Sequence, residues 1–409
     1  MQPANHISGL TPLRGIAALL VIILHYQIFI AKLHPEGLTH AVEKLYLMVD
    51  LFFVLSGFIM YHVYGKLFKS GIRKESYFKF MRARFARIYP LHLFTFLFTI
   101  AVSLIYVFTN TPKGNIYSSF LDYSAVPSQL LLTQAMGTHH EATWNTPSWS
   151  ISVEWWAYVL FPVLLLFFVR TKQWSRYLSA ALIVGGYLYI TFYAEPLFWA
   201  TRWELMGIPK EVPYPVHTID VITGHSAFLR CLCGFVAGMI FYEGFQKSWG
   251  HSVLSKGISF VGLWVLLFSL WHFDVLPDLI SPLFFGLMIL SAAYNTGRLR
   301  STLNTRGFQF LGDLSYSLYL MHMPLLFLYT ALRKVFVPDD QRLVFLNYNF
   351  SLTEAWLGFA LFLSVTLLLA SFTYHYIEKP ARQFLNRSKR SAVEQQVVAA
   401  NVTETSLQG

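Results

Sequence analysis

Cysteine and charge are both scarce in this sequence. Only 13% of its 409 residues are Asp, Glu, Lys or Arg, whereas 55% are hydrophobic, and soluble domains rarely have such a composition. The two cysteines, Cys231 and Cys233, lie in an apolar segment beside glycines, and a metal or redox centre would need more ligands. We therefore expect a protein of the lipid bilayer that has no metal site and uses its cysteines for helix packing.

Ten apolar segments are long enough to cross about 30 Å of hydrocarbon as helices. They cover residues 10–31, 45–65, 88–109, 150–169, 177–194, 221–243, 255–273, 277–295, 310–332 and 354–377. The sequence therefore predicts an all-α fold, a polytopic membrane bundle of about ten transmembrane helices. We find no internal repeat of the kind that inverted-repeat transporters carry.

The positions of lysine and arginine predict the orientation of the chain. The segment after the second span carries Lys66, Lys69, Arg73, Lys74, Lys79, Arg82, Arg84 and Arg87. Because cytoplasmic loops retain positive charge, this segment and both termini are predicted to be cytoplasmic. The net charge of +10 then reflects topology and contact with anionic lipid headgroups. Nucleic acid is not an expected partner, since no basic stretch is interleaved with aromatic residues.

Residues 1–382 are predicted to form one transmembrane domain. The first apolar segment has neither a lysine-rich leader before it nor a small-residue cleavage site after it, so we expect it to remain as a helix. Residues 383–409 are polar and have too little apolar surface to fold alone. They are predicted to form a disordered cytoplasmic tail.

The first span contains two polar residues, Arg14 and His25. They are eleven positions apart, so on a helix they share nearly the same face, about three turns and ~16 Å apart. In the predicted orientation Arg14 lies near the cytoplasmic end and His25 lies in the outer half of the membrane. For either residue taken singly, a structural role explains its position as well as a functional one does. Arg14 would then be a snorkelling arginine, and His25 would be bonded to a neighbouring helix.

Two carboxylates are predicted at a depth similar to that of His25. Asp50 opens the second span, and Glu154 follows a serine-rich stretch at the outer start of the fourth. Either carboxylate would hold the His25 imidazole in one tautomer, and Glu154 would also suit a substrate hydroxyl. The alternatives are an N-cap role for Asp50 and a first-turn capping role for Glu154.

Arg84 and Arg87 enter the third span three residues apart, on one helical face. Guanidinium groups in this arrangement match phosphate oxygens bidentately, and Arg14 at the same membrane face favours an anionic ligand. A cluster that only sets topology would look much the same.

Substrate contacts are predicted in the outer half of the membrane. Ser315, Tyr319 and His322 repeat at i, i+4 and i+7 in the ninth span, on one stripe of the helix. We expect Tyr319 and His322 to contact substrate, whereas interhelical hydrogen bonding accounts for Ser315. Ser150 and Trp149 are further candidates at the entry of the fourth span, although an interfacial aromatic belt also explains the tryptophan.

Six segments together resemble the acyltransferase-3 family of integral membrane O-acyltransferases, over about residues 8 to 382. They are Arg14 with His25, DLFFVLSGF at 50–58, the Arg84-x-x-Arg87 pair with the following Ile and Pro, SWSISVEWW at 148–156, LGDLSYSLYLMHMP at 311–324 and YIEKPAR at 376–382. The resemblance implies a ten-helix enzyme of the bacterial inner membrane. Such an enzyme moves an acyl group, usually acetyl, from cytoplasmic acyl-CoA to a hydroxyl of a glycan or lipid-linked sugar.

The resemblance also implies roles for particular residues. Arg14 and His25 match the essential arginine and histidine of the family's first helix, and Arg84 and Arg87 match its double-arginine motif. Many relatives carry a C-terminal extracytoplasmic esterase-like domain that completes the transfer. We expect a stand-alone member without that domain, and the need for a soluble or membrane partner stays open.

The residues suit this chemistry on physical grounds as well. The arginines would hold the phosphates of acyl-CoA, which is a donor substrate and not a permanently bound cofactor. The ~16 Å along the first helix suits the pantetheine arm, and His25 would act as general base, oriented by Asp50 or Glu154. An acyl-histidine intermediate stays open.

Two other classes of protein fit the same composition. A proton-coupled transporter or flippase of an anionic or lipid-linked sugar would also place ionisable residues inside its helices. A purely structural membrane subunit would leave these residues dispensable.

Overall fold

The predicted all-α bundle is confirmed by the computed structural model, which describes residues 7–108, 122–171, 174–205, 217–336 and 350–386. These residues are mostly helical and contain no strand. The helices that correspond to the predicted spans are α1 (Leu10–Phe29), α2 (Met48–Phe68), α3 (Lys74–Phe108), α4 (Ser148–Arg170), α5 (Trp174–Tyr189), α6 (Gly224–Gln246), α7 (Gly257–His272), α8 (Ser281–Tyr294), α9 (Arg306–Phe336) and α10 (Leu352–Thr373).

Seven of these helices, α1 to α6 and α10, are long and apolar enough to cross a membrane. The protein is therefore a multi-pass membrane protein. Helices α7 and α8 are apolar but have only 16 and 14 residues. Helix α9 is long enough, but the polar residues on its stripe lower its mean hydropathy. Ten crossings and cytoplasmic termini stay predictions.

Three helical segments extend beyond the predicted spans by more than five residues. Helix α3 begins 14 residues before the predicted start at 88 and has 35 residues, or about 52 Å, because its charged first turns remain helical outside the apolar run. Helix α5 continues through a π turn, Ile190–Ala194, into Glu195–Leu205. After α10, Lys379–Asn386 is helical across the boundary predicted at 382, and residues 387–409 lie outside the described part.

Glycines bring the helices of the central bundle into backbone contact. A Cβ atom on Gly15 of α1 would lie 2.8 Å from the Gly312 nitrogen of α9. One on Gly238 of α6 would overlap the Val54 carbonyl oxygen of α2. Close approach at small residues is a main source of packing energy between membrane helices, so these two pairs set the positions of the helices around the site.

The two cysteines contribute to the same kind of packing. Cys231 and Cys233 are buried and form no disulfide. A Cβ atom on Gly186 of α5 would lie 2.6 Å from the Cys233 sulfur, so α5 and α6 meet where both helices carry small side chains.

Replacement of Gly238 by alanine is expected to lower the free energy of unfolding by about 1–3 kcal/mol, because overpacking forces α2 and α6 apart. The midpoint of thermal unfolding in detergent measures the effect. Gly262→Ala in α7 is the matched control, since its new Cβ would meet no atom within 4 Å and it gains the same helix propensity. Equal midpoints for the two variants would contradict this interpretation of the α2 and α6 contact.

The segment before α4 folds back against the bundle. The Ser152 hydroxyl donates to the Leu132 carbonyl at 2.8 Å, and the Trp156 indole donates to the same oxygen at 3.0 Å. The Asn145 amide donates to the Leu320 carbonyl of α9 at 2.9 Å. These bonds fix the first turns of α4 beside α9, where several of the predicted site residues lie.

Candidate active site

A cavity of about 110 Å³ lies between α1, α2, α3, α4 and α9. The polar residues that line it are Arg14, Ser56, Arg84, Arg87, Ser150, Glu154, Tyr158, Ser315, Tyr316 and Tyr319. Six of the residues predicted from the sequence are therefore brought together here. Asp50, His25, Trp149 and His322 do not line the cavity wall.

The parallel helices α1 and α9 define the long direction of the site. At one end, Gln309 of α9 donates to the Ser8 carbonyl at 3.0 Å. At the other end, His25 of α1 contacts His322 of α9, and the Tyr319 ring lies 6.0 Å from the His322 ring. The two histidines therefore lie beyond Tyr319, on the opposite side of the cavity from Arg14.

Arg14 brings a positive charge into the bundle without a direct counterion. It forms no ion pair and no hydrogen bond within the described part of the chain, and its guanidinium lines the cavity. Ser315, which is 1% exposed, lines the same cavity, and its hydroxyl has no hydrogen-bond partner among the described residues. Because buried polar groups and charges are costly when they are unpaired, the cavity suits an anionic or strongly polar ligand group.

Arg84 and Arg87 have different surroundings, although the sequence predicts the same phosphate-binding role for both. Arg87 forms an ion pair with Glu378, and Ser317 donates to the same carboxylate at 3.0 Å. Arg84 has only neutral partners: it donates to the Tyr64 hydroxyl at 2.8 Å, and its Nε has no partner among the described residues. The charge of Arg87 is thus balanced, whereas Arg84 and Arg14 remain available to an anion.

Glu378 is a site residue that the sequence reasoning missed. It follows α10 within the YIEKPAR segment and is buried, with 1% exposure. A glutamate beside a membrane span was the available signal, since such a residue needs a partner. The sequence does not reveal which arginine that partner is.

Glu154 lines the cavity through two hydroxyl contacts. Its carboxylate accepts from Tyr158 at 2.6 Å and also from Ser56. Glu154 lies in the second turn of α4, so it is not a first-turn capping residue. Neither of these hydrogen bonds involves His25, so the predicted contact between Glu154 and His25 is not observed.

Asp50 is bound by an arginine and not by His25, so the predicted contact is wrong. Arg230 of α6 donates through Nη2 to Asp50 Oδ2 at 2.6 Å and through Nε to Oδ1 at 3.1 Å, and both side chains are fully buried. Trp149 packs over the Arg230 guanidinium at 5.3 Å and is 7% exposed. Its ring therefore covers an ion pair and does not face open space. An arginine inside an apolar span was the signal for this pair.

Removal of one partner of this pair is expected to destabilise the fold. Asp50→Ala leaves a buried guanidinium without its bidentate partner and should lower the free energy of unfolding by about 3–5 kcal/mol. The double variant Asp50→Leu with Arg230→Met should recover most of this loss, which thermal unfolding in nanodiscs would measure. A double variant as unstable as the single one would contradict a structural role for the pair.

His25 is paired with His322, another partner that the sequence did not predict. The distance from His322 Nε2 to His25 Nδ1 is 3.0 Å, and the two rings stack with centroids 5.0 Å apart. Close by, the hydroxyls of Ser150 and Tyr319 are 2.9 Å apart. Ser150 and Tyr319 thus line the cavity, and His322 lies beyond them with its imidazole held against that of His25.

A membrane bundle with two arginines that lack an acidic partner in a cavity, and a histidine pair beyond the far end of that cavity, has the features of an integral membrane acyltransferase. The chain belongs to the acyltransferase-3 family: the family's sequence model, described as an acyltransferase domain, matches residues 7–375.

Curated relatives agree with this assignment. The acyltransferase MdmB of Streptomyces mycarofaciens is 27% identical over 327 residues, which are 77% of this chain and 77% of that protein. YrhL of Bacillus subtilis (strain 168), provisionally named a peptidoglycan O-acetyltransferase, is 22% identical over 401 residues, which are 93% of this chain but only 56% of YrhL. Protein 2 in the picA locus of Rhizobium radiobacter is 37% identical over 92 residues, 22% of this chain and 43% of that protein. No solved structure matches the chain.

Proposed function

We propose that this membrane acyltransferase moves an acyl group, acetyl in the simplest case, from cytoplasmic acyl-CoA to a hydroxyl of a cell-surface glycan or lipid-linked sugar. The proposed site of action is the bacterial inner membrane. One observation carries the proposal: the Arg14 guanidinium has no counterion at one end of a cavity whose other end adjoins the His25 and His322 pair. The provisional name of YrhL supports a glycan acceptor, and the name of MdmB supports acyl transfer.

The donor would bind with its phosphates at the arginine end. Arg14 and Arg84 carry charges that no described carboxylate neutralises by direct contact, and guanidinium groups bind phosphate oxygens through two parallel hydrogen bonds. The eleven residues from Arg14 to His25 span ~16 Å, which suits an extended pantetheine arm. The thioester would then lie near Tyr319, and the nucleotide would stay at the cytoplasmic mouth.

The chemistry would take place beside the histidines. His25 would take the proton of the acceptor hydroxyl as that oxygen attacks the thioester carbonyl. The carbon–sulfur bond then breaks, and the proton passes to the departing thiolate. The hydroxyls of Ser150 and Tyr319 lie at 3.0 and 3.1 Å from the Pro147 carbonyl oxygen, and they would turn from it to donate to the negatively charged oxygen of the tetrahedral intermediate.

Turnover of radiolabelled acyl-CoA by the purified protein in lipid nanodiscs tests this function. Acetyl-, succinyl- and longer acyl-CoA are offered with no membrane gradient, and release of free CoA is followed with and without a glycan acceptor. A transferase should consume the donor, whereas a transporter or flippase would at most bind it. Absence of turnover with every donor would contradict the donor assignment.

A further inference from the structure

His322 forms two hydrogen bonds through its two ring nitrogens. Nδ1 lies 3.2 Å from the Leu318 carbonyl, one turn earlier in α9, and Nε2 lies 3.0 Å from Nδ1 of His25. The His322 ring is fully buried, and no described carboxylate bonds to either histidine. A charge buried without a counterion is costly, so both rings are expected to be neutral.

The protonation of the pair follows from these contacts. A carbonyl oxygen only accepts, so Nδ1 of His322 carries its hydrogen, and Nε2 of the same neutral ring is an acceptor. The donor in the 3.0 Å contact is then Nδ1–H of His25. Its remaining nitrogen, Nε2, keeps a free lone pair, as a general base requires.

We propose that His322 is a positioning residue, which holds His25 in the tautomer that has a free Nε2 lone pair. The proposal rests on the proposed function of His25 as general base. Without His322, the Nε2–H tautomer of His25 also becomes populated, and in that form the ring presents a donor where the acceptor hydroxyl needs a base. In the serine proteases of the Ser-His-Asp type, loss of the group that sets the tautomer costs about 10⁴-fold in turnover.

Two substitutions of His322 separate this role from simple packing. In His322→Gln the amide oxygen replaces Nε2 and still accepts from His25, whereas the shorter side chain of His322→Asn reaches only the position of Nδ1. We expect His322→Asn to lower kcat by about 100-fold or more, with an unchanged KM for acyl-CoA, and His322→Gln to stay within about tenfold of the wild type. His92→Asn is the control, since His92 is equally buried and bonds only the Gln129 carbonyl. Equal losses in the Asn and Gln variants would overturn the proposal.

Nitrogen-15 NMR of histidine-labelled protein in nanodiscs tests the tautomer independently of turnover. The His25 signals are assigned by their absence in His25→Gln. We expect protonated Nδ1 and unprotonated Nε2 in the wild type and in His322→Gln, and a mixture of tautomers in His322→Asn. Protonated Nε2 in the wild type, or an unchanged His25 in His322→Asn, would refute the role of His322. Failure of the wild type to consume any acyl-CoA would refute the donor assignment alone, because the NMR result does not depend on it.

Discussion

His25→Gln is expected to lower kcat by about 10²–10⁴-fold, the usual contribution of a positioned general base, while the KM for acyl-CoA changes little. Glutamine fills a similar volume and places a polar amide near the position of Nε2, but it has no basic nitrogen. Steady-state turnover of radiolabelled acetyl-CoA in nanodiscs gives both constants. The affinity should persist because the arginines that we expect to bind the donor lie about three helical turns from His25.

The control for this variant is His92→Gln, which changes another buried histidine that does not line the cavity. Its kcat should stay within a fewfold of the wild type if the two proteins have the same unfolding midpoint. A His25→Gln enzyme with the full kcat would exclude His25 as the base. Covalent label on His25 after acid quench would instead indicate an acyl-histidine intermediate.

Arg14→Gln is expected to raise the KM for acyl-CoA by about 10–150-fold, because a hydrogen bond to a charged group contributes about 1.5–3 kcal/mol. The comparison that identifies the phosphates uses an acetyl thioester of N-acetylcysteamine, which carries the reactive end of the donor and no phosphate. Arg14→Gln should leave the KM for this short thioester nearly unchanged. An equal rise for both donors would mean that Arg14 acts on the thioester or on the fold.

The two arginines of α3 are expected to respond differently to the same substitution. Arg84→Gln should behave like Arg14→Gln, since Arg84 also lacks an acidic partner. Arg87→Gln should mainly lower stability, because it leaves Glu378 buried without its counterion. Thermal unfolding and KM, measured side by side, separate the two effects.

Much of the architecture was predictable because a bilayer imposes a local rule on the sequence. A helix must supply about twenty apolar residues to cross the hydrocarbon, so the ten apolar runs located α1 to α10 before any contact was known. The helical repeat is also local, and it placed Arg14 and His25 on one face of α1 and Ser315, Tyr319 and His322 on one stripe of α9. The position of a residue along a helix and the face on which it lies can therefore be read from the sequence.

The pairings between helices depended on the tertiary structure. Asp50 and His25 have similar predicted depths, but Asp50 faces α6 and bonds to Arg230, while His25 faces α9 and bonds to His322. Arg87 likewise bonds to Glu378, which is 291 residues away in sequence. The sequence by itself determined the helices, their apolar character and the position of each polar group along its helix. Only the tertiary structure decided the partner of each group, because the rotation of a helix and its neighbours are set by side-chain packing with distant segments, such as the glycine contacts of α1 with α9 and of α2 with α6.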